Sequence, residues 1–151
     1  MIEGVEVKEL TKHADERGYL MELLRCDDAI FQKFGQAYAS LNYPGVVRAW
    51  HYHKKQDDYL AVVKGMAKVA LYDAREGSPT QGQVDEFFLG EQSNILVKIP
   101  MGVMHGYKTV GSEPSLLINF PSEPYDPQEP DEYRLPWDTD QIPYDWAIKM
   151  G

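Results

Sequence analysis

Short apolar or alternating runs recur along this chain about every ten residues, each closed by a turn signal, and that rhythm leaves little room for anything but strands. Residues 3–10 and 18–25 alternate loosely between apolar and polar, and 35–43, 46–53 and 58–64 are rich in aromatic and β-branched side chains. The pattern continues through 66–73, 83–89, 94–99 and 115–120. Pro44-Gly45, Lys64-Gly65, Gly77-Ser78-Pro79, Gly90, Pro100-Met101-Gly102 and Gly111-Ser112 separate the runs. The one helical turn predicted before the core is 27–34, opened by Asp27 as its cap. Strands at this spacing without long helices indicate an all-β sandwich or barrel. From Pro121 the composition changes to a proline-rich segment carrying Tyr125, Tyr133, Trp137, Tyr144 and Trp146. Prolines keep it out of a sheet interior, and so many aromatics argue against disorder. It is expected to pack as a tail across the domain or a partner subunit and to end in a short helix.

A chain of 151 residues with 43% hydrophobic residues is one ordinary globular domain. Its 15 basic and 24 acidic residues give −9, which disfavours general nucleic-acid binding and attraction to an anionic membrane surface. The single cysteine, Cys26, excludes an internal disulfide and a cysteine-based zinc cluster. No run approaches the roughly 20 apolar residues of a membrane span, and the first residues lack a signal-peptide pattern. The expectation is a cytoplasmic protein.

Three of the four histidines fall in two motifs, and His13 reads as a surface residue. His51 and His53 are two apart on a predicted strand, so their side chains share a face. His105 follows a Pro100–Gly102 turn and opens the next strand. Three imidazoles and the carboxylate of Asp58, brought together in a barrel, form either a divalent-metal site or a set of acid–base and hydrogen-bonding groups. The wider spacing (Gly45, His51, His53, Asp58, Gly65, then Pro100, Gly102, His105) resembles the two cupin signatures, with Asp58 where glutamate is usual and Thr109 where asparagine is usual. The resemblance implies a small jelly-roll barrel.

Longer segments resemble one cupin family, the dTDP-4-dehydrorhamnose 3,5-epimerases. They are Asp15–Glu22, Gly45–Tyr52, Tyr72–Thr80, Ile99–Tyr107, Tyr125-Asp126-Pro127, Pro136-Trp137-Asp138 and Ile142–Trp146. The resemblance implies a metal-independent isomerase that removes a proton next to the keto group of a nucleotide-linked 4-keto-6-deoxy sugar and returns it to the opposite face. His51 matches the general base, and a side chain titrating near neutrality suits that task. The enolate needs nearby charge or donors, for which His105 and His53 are candidates. Arg48 and Arg17 match diphosphate-holding arginines, and Glu22 and Gln36 fall near nucleotide contacts. The resemblance further implies a homodimer in which N-terminal strands within 1–25 pair with the other subunit, a barrel over 35–120 and a tail over 121–151.

Several family features are replaced. The active-site lysine is Asp58, the acid tyrosine falls at Asn119, and the glutamine after His-Tyr is His53. The carboxylate that orients the base lies beyond Gly151 in the family. Tyr125 is the best replacement acid, ahead of Tyr59 and Tyr107, while Lys68 lies out of register to replace the lysine. Asp58 is read three ways: orienting His51 or His53, ligating a metal, or standing exposed on a hairpin. The run His51-Tyr52-His53-Lys54-Lys55 is also similar to the 3,4-ketoisomerase cupins. Two other readings remain: a metal-dependent cupin using His51, His53, Asp58 and His105, and a non-catalytic sugar-nucleotide-binding cupin.

Overall fold

The computed structural model describes residues 1–150. Among them are twelve strands and no helix. One sheet comprises β1 (Glu6–Glu9), β9 (Ile95–Ile99), β6 (Asp58–Lys64), β11 (Ser115–Asn119) and β4 (Tyr38–Asn42), in that order. The other comprises β12 (Tyr133–Arg134), β5 (Val47–Tyr52), β10 (Met104–Val110), β7 (Met66–Tyr72) and β8 (Val84–Gly90). A separate hairpin pairs β2 (Lys12–Asp15) with β3 (Gly18–Met21).

Period-two alternation explains why the sheets stack. Leu60 and Val62 of β6, Val97 and Ile99 of β9 and Leu117 of β11 meet Ala67, Val69 and Leu71 of β7, Leu89 of β8 and Tyr107 of β10 in one core. The alternate residues of the first sheet, Tyr59, Ala61 and Leu96, are covered by Leu10, Leu23, Leu24 and Ile30. A strand buried on both faces reads as a continuous apolar run, which is why 58–64 does. The outer face of the second sheet, with Trp50, Ala70 and Met104, is covered by Leu135, Ile142, Tyr144 and Trp146. Trp50 and Trp146 approach to 5.0 Å between ring centroids. Lys68 Nζ donates to Ala147 O (2.9 Å) and Lys108 Nζ to Trp146 O (2.9 Å), so Lys68 is spent on the outer face, away from the barrel interior.

Four expectations are corrected. Residues 26–30 form turns and 31–34 are irregular, so the predicted helix over 27–34 is absent. Asp28, not Asp27, takes the capping role, accepting from Arg25 N (2.8 Å) and from Lys8 Nζ of β1, while Asp27 is drawn to the Arg25 guanidinium. The tail ends without a helix, since prolines recur through it and each removes a backbone donor. Within the chain, the strand in 3–10 is β1, which pairs with β9 in register from Glu6↔Lys98 to Glu9↔Ile95. The run 18–25 stays in a strand only to Met21, because Leu23 and Leu24 turn in to cover the first sheet.

The Asp73–Thr80 motif is a structural turn. The Asp73 carboxylate accepts from Arg75 Nε (2.8 Å), Ser78 Oγ (2.6 Å) and Thr80 Oγ1 (2.6 Å), and Arg75 reaches on to Glu3 O (2.8 Å). No helix is long and apolar enough to cross a membrane among the described residues.

Candidate active site

β5 sends Trp50 to the outer face, so its neighbour His51 faces the barrel interior. His53 follows on the same side, just past the strand end. β10 delivers His105 directly opposite His51, the two being register partners with ring centroids 4.2 Å apart. The close approach of these strands needs Gly106, because a Cβ there would stand 2.2 Å from the Ala49 side chain. The turn that starts β10 is pinned by Gly102, at φ +83°, whose N–H donates to His53 O (2.7 Å). One backbone bond thus fixes both histidine motifs relative to each other.

Asp58 enters from the first residue of β6 and is 1% exposed. Its Oδ2 lies 3.1 Å from His105 Nε2 and 3.2 Å from His53 Nε2, and its Oδ1 accepts from Gln56 Nε2 (2.9 Å). That overturns the exposed-hairpin alternative, and the carboxylate holds His53 and His105 rather than His51. The far ring nitrogens are committed too. His105 Nδ1–H donates to Val103 O (3.0 Å) and His53 Nδ1–H to Asp131 O. With the Nδ1 hydrogen spent on a carbonyl, each Nε2 bonds the carboxylate only when it also carries a hydrogen. Burial lowers the His53 pKa more than any other single cause, but the bond to Asp58, the Asp58 charge and the contact with Asp131 together outweigh it and raise the value above the ordinary one. Burial likewise pushes the Asp58 carboxyl up, and His105 and His53 more than reverse this, holding it well below the usual carboxylate range.

His51 is the opposite case. Burial, with the nearby His105, drives its pKa well below the ordinary histidine value. It is therefore neutral at pH 7 and able to take a proton, while His53 beside it is biased towards carrying one. Two titratable groups pushed apart by their surroundings mark separate base and charge-stabilising roles.

A cleft of about 330 Å³ opens at His51 and is lined by Tyr38, Arg48, Tyr107, Glu132 and Arg134. An adjoining cleft of about 630 Å³ is lined by Gln36, His53, Tyr125 and Asp131. Tyr38 and Glu132 line both. The combined space is of the size that holds a drug-sized or larger ligand, roughly 300–1,000 Å³.

Of the sequence-predicted residues, His51, His53, Asp58 and His105 converge, with their ligand-capable atoms within 4.8 Å of one another. Arg48 lines the His51 cleft, its Nε donating to Asn42 Oδ1 (2.9 Å). Gln36 and Tyr125 meet at the second cleft, where Tyr125 N donates to Gln36 Oε1 (3.1 Å). Arg17 and Glu22 are not brought in. Arg17 tips the β2–β3 hairpin, its side chain 85% exposed and paired with Asp15, and Glu22 pairs with Arg25 (2.9 Å). The sequence reading missed Tyr38, Glu132 and Arg134. Arg134 is the register partner of His51, a pairing that short β12 makes through only two residues.

The model for the dTDP-4-dehydrorhamnose 3,5-epimerase family matches residues 1–151. The chain belongs to that family. It is 48% identical over 150 residues to the spore coat polysaccharide biosynthesis protein SpsL of Bacillus subtilis, covering 99% of each chain. It is 49% identical over 151 residues to the probable low-salt glycan biosynthesis epimerase Agl13 of Haloferax volcanii, covering 99% of this chain and 97% of that one. Among solved structures, a dTDP sugar isomerase from Desulfovibrio desulfuricans superposes with a TM-score of 0.92 at 34% identity, covering 99% and 94% of the two chains. The two facing sheets are thus the jelly roll of this epimerase family, and the chain is an enzyme of the epimerase and isomerase class.

Proposed function

We propose that the protein inverts a carbon next to the keto group of a nucleoside-diphosphate-linked 4-keto-6-deoxyhexose, dTDP being the nucleotide carrier. Family membership supports the reaction class. The observation that carries the residue assignment is the pair of adjoining clefts, one reaching His51, whose burial keeps it neutral, and the other reaching His53, which Asp58 holds at 3.2 Å. His51 abstracts the proton α to the carbonyl, and the electron pair moves to the carbonyl oxygen. The charged donor needed there is His53, which Asp58 holds and which takes over from the family's lysine. Arg48 and Arg134 line the same cleft and suit the diphosphate, giving a local anion site in a protein of net charge −9. Gln36 and Tyr125 suit the nucleotide end of the second cleft. Arg17 and Glu22 reach a substrate only if the hairpin is presented to another subunit's cleft, which makes a homodimer part of this assignment.

The test is proton exchange. The protein is mixed with dTDP-4-keto-6-deoxyglucose in heavy water and the C3 and C5 protons are followed by NMR. Exchange at either carbon that falls by about 10²- to 10⁴-fold in His51→Ala supports the base assignment. No exchange by the wild-type protein removes this substrate.

A second reading, a divalent metal held by His51, His53, Asp58 and His105, is favoured by one observation. Nδ1 tethering to carbonyls turns both Nε2 atoms towards a carboxylate oxygen, an arrangement that a metal satisfies as well as added protons do. Elemental analysis discriminates: less than about a tenth of an equivalent in protein purified without chelator ends the metal reading.

A further inference from the structure

An epimerase that works with one base needs a second group to deliver a proton from the other side of the ring. Tyr125, the best sequence candidate, is 58% exposed and lines the cleft that holds His53, not the one that holds His51. Tyr59 is fully buried, and its hydroxyl accepts from Gln32 N (3.2 Å) on the covered side of the first sheet. Tyr107 shares its hydroxyl with Ser40 Oγ (2.8 Å).

Tyr38 is placed differently. It opens β4 in the first sheet, while His51 sits on β5 in the second, so the two groups come from opposite walls of the barrel. Both line the His51 cleft, and Tyr38 also lines the adjoining one. Its cross-strand partner is Asn119, the position where the family's tyrosine falls. Asn119 is 1% exposed and its amide is fixed at both ends. Oδ1 accepts from Tyr59 N (3.1 Å), which leaves Nδ2 to donate to the Tyr38 hydroxyl oxygen (2.9 Å). An amide N–H can only donate, so Asn119 occupies an oxygen lone pair and leaves the tyrosine's own hydrogen free for the cleft.

We propose that Tyr38 is the general acid of the epimerisation, its hydroxyl held and oriented by the Asn119 side chain across the β4–β11 pair. The proposal rests on the epimerase reading above. The steps balance. His51 takes the α-proton and the C–H electron pair becomes the enolate. The enolate collapses back to the carbonyl as its α-carbon takes the hydrogen of the Tyr38 O–H from the opposite face. The tyrosinate and the His51 imidazolium then return to their starting states by exchange with water, which reaches Tyr38 because the residue is 46% exposed. Burial, despite the Asn119 bond that draws it down, pushes the hydroxyl up to about 12, so it carries its hydrogen at neutral pH and is regenerated after each turnover. Asn119 is a positioning residue.

Tyr38→Phe keeps the ring and removes only the hydrogen to be delivered. With dTDP-4-keto-6-deoxyglucose in heavy water, exchange of the α-proton is expected to continue within about threefold of wild type, because His51 returns deuterium to the face it served. Formation of the inverted sugar is expected to fall by about 10²- to 10⁴-fold. Asn119→Ala is expected to lower inversion by a smaller factor and likewise to spare exchange. A merely structural Tyr38 predicts that exchange and inversion fall together, and that result overturns the proposal in a variant whose thermal unfolding matches wild type. Inversion retained within about threefold also overturns it, as does a Tyr38→Phe protein that fails to fold while Asn119→Ala leaves inversion intact. Failure of the epimerase reading is distinguishable: wild type itself then shows neither exchange nor inversion, and the role of Tyr38 falls with it.

Discussion

Asp58→Asn removes one charge and almost no volume from the centre of the site. Asp58 accepts from both His53 and His105, and a hydrogen bond to a charged group contributes about 1.5–3 kcal/mol against about 0.5–1.5 for a neutral one. An asparagine can still donate to a neutral imidazole, so the expected loss is about 1 kcal/mol per bond, or about 2 kcal/mol in all. In a chain of this size that lowers Tm by about 4–8 °C. The pH dependence is the sharper signature. His53 has a raised pKa in the fold, so its contribution is complete below the ordinary histidine value near 6.5 and is lost as pH rises through the raised one. Asp58 has a lowered pKa, so its contribution is present above about 3.8 and is lost only as pH falls through the folded value. The penalty of Asp58→Asn is therefore largest between about pH 4 and 6.5 and shrinks above that window. His51, whose pKa is lowered, destabilises both folds as pH falls below about 6.5, and because the Asp58 charge holds that pKa up, its loss in the variant adds to the penalty on the acid side. Urea unfolding of both proteins at acid, neutral and alkaline pH gives the comparison. A penalty below about 0.5 kcal/mol throughout, or one that grows as pH rises, refutes the charge assignment.

Arg48→Ala is expected to raise KM for the nucleotide sugar by about 10- to 100-fold with little change in kcat, as loss of one charge-assisted phosphate contact does; steady-state kinetics showing a fall in kcat at constant KM contradicts it. Trp146→Ala, at a residue 3% exposed and packed on Trp50, is expected to cost about 3–5 kcal/mol by denaturant unfolding, and a cost under about 1 kcal/mol would mean that the tail is not docked as described.

The strand rhythm and the two histidine motifs were legible because both are local. Alternation at β6 and β7 reports burial directly, and Gly102 and Gly106 mark positions whose backbones allow no side chain. What could not be read was pairing across long sequence distance. Tyr38 and Asn119 are 81 residues apart, His53 and Asp131 are 78 apart, and Arg134 meets His51 only because the tail adds a two-residue strand to the edge of β5. The helical turn expected over 27–34 failed for the same reason. Asp27 is the better local cap, but Lys8 on β1 draws Asp28 into that role from outside the segment.

The replacements of family residues fall in touching pairs. Read singly, an aspartate in place of a lysine removes the positive charge an enolate needs, and an asparagine in place of a tyrosine removes a proton donor. In the fold, Asp58 contacts His53, itself a replacement, and raises its pKa, so a cation stands beside the base again. Asn119 contacts Tyr38, which brings a hydroxyl back to the same cross-strand pair. Each substitution that looks like a loss sits against a side chain that offsets it. A chain that had abandoned turnover for binding alone would have no reason to restore both charge and hydroxyl around a neutral histidine. That argument favours catalysis over a binding role. It also predicts that Asp58→Lys made alone fails to improve exchange, because the new ammonium would face the His53 and His105 rings with no carboxylate between them.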